Sequence, residues 1–216
     1  MDRIVLGGTE KLRNTPQNAV PHGFPGNHFT WIALLLYEVG RHYDRDDLKD
    51  AGAKSFRESV LPYQETRGGF PEGGGIVVGY ALVTTHAVSD YAELSDDAEA
   101  RAAVERAFPF FEWFTFPDGT NPTVADCRML YHAGPPMFLP HEFLRLAGGP
   151  QFCLDLIRAK QRQLAHHPLS DNGAQALAFY ADFVERLFRN SDSDAWEVYT
   201  VPKAQPAVVA RLDSPD

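Results

Sequence analysis

From residue 28 onward, apolar residues recur mostly three and four positions apart, and the spacing predicts helices at about 28–43, 46–63, 76–93, 96–115, 136–147, 150–165 and 171–190. Such spacing puts one apolar stripe on each helix, to be buried against a neighbour. Start signals agree with the pattern. Ser95 in SDDAEA offers a cap followed by acids in the first turn, and Ser170 does the same in LSDNGAQA. The short connections YDRDD and ELSDD fold consecutive helices back as hairpins, whereas ETRGGFPEGGG and FPDGTNPTVADCRMLYHAGPP are long and rich in glycine and proline. In an array of hairpins alternate connections fall on opposite ends. Both long loops and the stretch PHGFPGNHFTW at 21–31 are therefore expected on one face, where function usually sits. At about residue 195 the composition turns β-rich, with strands expected at 198–201 and 207–212. The expectation is an all-α domain over 1–194, followed over 195–216 by the truncated start of a β region.

Composition narrows the function classes. The 216 residues are 44% apolar and 23% charged, the balance of an ordinary soluble globular chain. A net charge of −9 argues against nucleic acid or an anionic membrane as partner, and an acidic substrate would need a local positive pocket. Apolar runs such as WIALLLY are too short to span a bilayer, and the first residues lack the layout of a signal peptide, so the literal reading is cytoplasmic. Cys127 and Cys153 match no zinc or redox spacing, which leaves one disulfide or two free thiols. His141 in HEF lacks the second histidine of a metalloprotease motif, and the pair His166 and His167 precedes a helix start. Neither a metal nor a cofactor is expected.

The density of breakers and hydrogen-bonding side chains in PHGFPGNHFTW has a plain reading as a turn with Asn27 as helix cap. Three pieces in order suggest more: GNHFTW, GGFPEGGGIVVGY and FPDGTNPTVADCR. Together they resemble the heparinase II/III-like polysaccharide lyases and the related toroid-type alginate lyases. The resemblance implies an incomplete α/α toroid of helical hairpins running into a β-sandwich region. It also implies an acidic polysaccharide or oligosaccharide as partner, a β-sandwich domain or second subunit over the C-terminal strands, and a periplasmic or secreted location. The family's Asn-His pair falls on Asn27 and His28, and its Glu-Gly pair on Glu72 and Gly73. Two departures stand out: Ala-Asp-Cys at 125–127 replaces the usual Gly-Asp-Ser, and Ile76 and Val77 stand where a tyrosine is common, with Tyr80 further on.

A uronate lyase removes the C5 proton and expels the O4 leaving group, so it must neutralise the carboxylate and the enolate-like charge that develops. The resemblance makes Asn27 and His28 the donors to that carboxylate, with Tyr80, Tyr131 and His132 as proton donor or base. Trp31, Arg67, Glu72, Asp118, Asp126 and Arg128 would line the substrate. Each also has a structural reading. Tyr80 lies at helical spacing with Val77, Val83 and Thr84 as a core aromatic, Tyr131 and His132 can form a lid, and Arg67 with Glu72 or Arg128 with Asp126 can be ion pairs. Glu72-Gly73 and Asp118-Gly119 are ordinary turn dipeptides. Two other function classes stay open: a glycoside hydrolase using Glu72 with Asp118 or Asp126, and a non-catalytic carbohydrate-binding module stacking sugars on Trp31, Trp113 and Phe116.

Overall fold

The computed structural model describes residues 2–13, 26–72, 75–121 and 139–166. These are mostly helical: α1 (Asp2–Arg13), α2 (Asn27–His42), α3 (Asp46–Ser55), α4 (Val78–Ser95), α5 (Ala98–Trp113) and α6 (Gly149–His166). A two-stranded antiparallel hairpin, β1 (Pro71–Glu72) and β2 (Gly75–Ile76), precedes α4. The expected strands at 198–201 and 207–212 and the expected helix at 171–190 lie outside the described residues.

Helices α2 and α3 form a close antiparallel pair. The close approach requires glycine at 52, where an added Cβ would lie 2.6 Å from the Tyr37 nitrogen and 2.7 Å from the Ala33 oxygen. Beyond α3 the chain stays helical but changes its hydrogen bonding, through a π turn at Phe56–Val60 and a 3₁₀ turn at Leu61–Tyr63. The wider turn directs both Phe56 and Val60 into the core, where they are buried.

Helix α4 is buried nearly all round, polar residues included, and occupies the centre of the layer. It runs parallel to α2, as the successive ring contacts Trp31–His86 and Tyr37–Tyr91 show. Tyr91 is buried flat against Phe56 with ring centroids 4.0 Å apart. A tight corner at Asp96, which adopts φ +57°, returns the chain into α5. Here the expected cap is displaced by two residues: the Asp97 carboxylate, not Ser95, accepts the N–H groups of Glu99 and Ala100. The Ser95 hydroxyl donates to the Tyr91 carbonyl instead, 2.6 Å away. Pro109 sits inside α5 on an exposed position, four residues after the exposed Glu105, so the carbonyl it leaves without a helical partner is at a solvent-facing place.

The expected helix at 136–147 is not formed in its described part. Leu139 and Pro140 are followed by a single 3₁₀ turn at His141–Arg145. Pro140 would lie in the interior of that helix, where its missing N–H and its ring break the ladder, and Gly148 turns the chain at φ +81° into α6. Phe143 from this turn packs edge-on to Phe108 of α5 and closes the core at that end.

Candidate functional site

The hairpin β1/β2 carries Glu72 at its tip, and the side chain reaches the start of α2. Glu72 Oε2 accepts the backbone N–H of Asn27 at 2.8 Å. The first N–H groups of a helix lack internal partners and carry the positive end of its dipole, so a carboxylate is a favourable acceptor there. Asn27 therefore is not the cap expected of it. Gly26 occupies the cap position without a side chain to offer, and the acceptor comes from 45 residues further along the chain. Room for the carboxylate exists because residue 26 is glycine: an added Cβ would lie 2.9 Å from Glu72 Oε2.

Around this contact the expected residues divide. Asn27 is buried, while His28, next to it, is exposed. Trp31, one turn along, is half-buried with its ring 5.8 Å from that of His86. Tyr80 is half-buried in the first turn of α4. Since α2 and α4 run parallel, Asn27, His28, Glu72 and Tyr80 all belong to one end of the layer. Arg67 is exposed on the turn before the hairpin, and the hydrogen bond of Glu72 goes to Asn27 rather than to Arg67.

Asp118 is exposed and acts locally. Its Oδ1 accepts the Thr120 N–H at 3.0 Å and the Thr120 hydroxyl at 2.7 Å, and these bonds hold the carboxyl below the usual carboxylate range. Cys153 is a buried free thiol, which burial pushes well above the ordinary value. Asp126, Cys127, Arg128, Tyr131 and His132 lie outside the described residues.

A second polar cluster was not singled out as a site by the sequence. His141, buried in the 3₁₀ turn, places Nδ1 3.0 Å from Asp90 Oδ1 and Nε2 3.1 Å from Glu93 Oε2, both on α4. Burial pushes the imidazolium down, but the two carboxylates outweigh it and raise its pKa to about 9. The geometry is ionic more than directional, because His141 Nε2 and Asp90 Oδ1 meet their neighbours away from the linear hydrogen-bond axis. Ser89 Oγ lies 3.2 Å from His141 Nδ1 and accepts the Glu142 N–H at 3.1 Å, while His86 Nδ1 donates to the Leu139 carbonyl at 2.8 Å. Glu142, also buried, faces Arg145 at 3.1 Å and Arg101 at 3.9 Å. Serine, histidine and acid stand in the order of a nucleophile relay, yet Ser89 is fully buried and shielded from any substrate. The cluster clamps the 3₁₀ turn to α4. Its trace in the sequence is HAVSDYAE, where His86, Asp90 and Glu93 recur at helical spacing in an otherwise apolar segment.

No family model, curated protein or solved structure matches the chain. Among the described residues no group of three or more His, Cys, Asp or Glu side chains is placed to hold a metal ion, and no helix is long and apolar enough to cross a membrane.

Proposed function

We propose that this chain is a polysaccharide lyase domain that cleaves an acidic, uronate-containing glycan by β-elimination, built on an incomplete α/α toroid. The observation that carries the reading is the hydrogen bond from Asn27 N–H to Glu72, which unites two of the three resembling motifs across 45 residues of chain. The antiparallel pairing of α2 with α3 and the two-residue return from α4 to α5 are the repeat units a toroid would use. His28, exposed beside this contact, is the donor to the substrate carboxylate, and Tyr80 supplies the phenol that protonates the leaving oxygen. Asn27, buried, is a positioning residue whose backbone fixes the start of α2. The hydrolase alternative is weakened at Asp118, because a carboxyl held ionised by Thr120 is a poor general acid.

The two chemistries leave different products. Elimination creates a C4–C5 double bond conjugated with the carboxylate, which absorbs ultraviolet light, whereas hydrolysis leaves no such chromophore. Full-length protein incubated with uronate polymers is expected to generate absorbance in step with new reducing ends. His28→Ala should lower kcat at least about 100-fold, the usual loss when one donor to the developing charge is removed. Glu72→Gln, which keeps an acceptor for Asn27, should retain activity. New reducing ends without absorbance would overturn the proposal.

A further inference from the structure

The last turn of α5, the loop after it and the first turns of α6 enclose an open cavity of about 370 Å³. That is within the range of small-molecule sites, roughly 300–1,000 Å³. Its polar lining consists of Glu112, Thr115, Gln151 and Asp155, its aromatic lining of Phe116 and Phe152, and among the described residues no cationic side chain lines it. Arg158, the cation nearest in sequence, is turned to Asp155 at 3.6 Å, and the Gln151 amide donates to the same carboxylate oxygen at 2.9 Å.

The walls are held in place before any ligand arrives. Phe152 is packed edge-on against Phe108, with ring centroids 5.5 Å apart, and against Phe143 at 6.2 Å. Phe116 sits on a turn closed by its own N–H donating to the Thr120 carbonyl and by the Gly119 N–H donating to the Phe116 carbonyl, both at 2.8 Å. Preorganised walls reduce the entropy lost on binding. Yet Phe116 remains 51% exposed, and Trp113, adjacent in the chain to Glu112, is 87% exposed. Neighbouring exposed aromatics on an otherwise well-packed helical layer mark a surface that meets something.

The lining chemistry selects the ligand. Two carboxylates, of which Asp155 is partly offset by Arg158, and no cationic lining among the described residues disfavour a uronate or sulfate group, so the cavity suits a neutral part of a glycan. An aromatic ring offers its face to the C–H side of a pyranose, while carboxylate, amide and threonine hydroxyl groups bond the ring hydroxyls. We infer that this cavity is a binding site for a neutral sugar unit. The site does not require the lyase reading: a chain without elimination activity would still bind neutral sugars here.

The test is calorimetric titration of the full chain with neutral hexose oligosaccharides, uronate oligomers and an alkylammonium salt, alongside circular dichroism of every variant. Saturable binding of a neutral oligosaccharide is expected, weakened about 10-fold in Phe116→Ala, a loss typical of one aromatic contact. Because Phe116 is half-exposed, that variant should keep the wild-type spectrum. Glu112→Gln with Asp155→Asn should retain neutral-sugar binding and gain affinity for uronate oligomers, since only the charge is removed. No binding of any neutral sugar, uronate binding that Phe116→Ala weakens as much as it weakens neutral-sugar binding, or tighter binding of the alkylammonium ion would each overturn the inference. Neutral-sugar binding unchanged in Phe116→Ala would place the sugar elsewhere and overturn it as well.

Discussion

Replacing His141 by alanine should be among the most destabilising single changes in the described part of the chain. The imidazolium is the positive group between Asp90 and Glu93, and it is 4% exposed, so solvent screens the interaction little. Removing one member of a buried ionic cluster takes a counter-charge from the others, which typically costs about 3–5 kcal/mol. The pH dependence gives an independent magnitude. Folding raises the His141 pKa from 6.5 to about 9, which corresponds to about 3 kcal/mol of stabilisation. Because the folded value is the higher one, this stabilisation is fully present below pH 6.5 and is lost as pH rises from there to about 9. Urea unfolding of the wild type and of His141→Ala at a series of pH values between 6 and 9.5, followed by circular dichroism, measures both effects. The gap between the two proteins should be about 3 kcal/mol or more at pH 6 and should shrink toward pH 9.5. At the midpoint of thermal unfolding the same difference is on the order of 10 °C for a chain of this size. A gap that stays constant across this range would show that His141 acts by packing alone, and wild-type stability in the alanine variant at pH 6 would refute the clamp.

Two smaller perturbations test the contacts that shape the layer. Glu72→Ala removes the acceptor at the start of α2 and should cost about 1 kcal/mol, as loss of a helix cap does, whereas Glu72→Gln should cost less; thermal melts of the two variants compare them directly. Gly52→Ala pushes a Cβ into the backbone of α2 at Ala33 and Tyr37 and should lower stability by roughly 1–3 kcal/mol, read as a fall in the urea midpoint with little change in slope.

Much of the secondary structure was legible because helical burial is periodic. The apolar spacing in WIALLLYEVG and AAVERAFPFF marks one face of α2 and of α5, and neither segment needs a partner's identity to be recognised. Where the pattern failed, a short-range rule prevailed over periodicity or the element was too small to have a period. Pro140 reduced an expected helix to one 3₁₀ turn, and β1 and β2 are two residues each. Helix α1 was missed outright: it is amphipathic, but its Gly7-Gly8 pair disfavours a helix.

The candidate site was legible only as separate pieces. Sequence alone marked Asn27, His28, Glu72 and Tyr80 by local motif, and it predicted a helix at 76–93 where α4 stands. Tertiary structure decided which of these meet. Helix packing turned Glu72 to the Asn27 N–H, buried Asn27, left His28 exposed and brought His141 between two carboxylates some 50 residues earlier in the chain. The reason is physical: helix spacing is fixed by contacts three and four residues apart, whereas an ion pair or a borrowed cap is chosen by the relative placement of whole helices, which depends on the packing of every buried side chain between them.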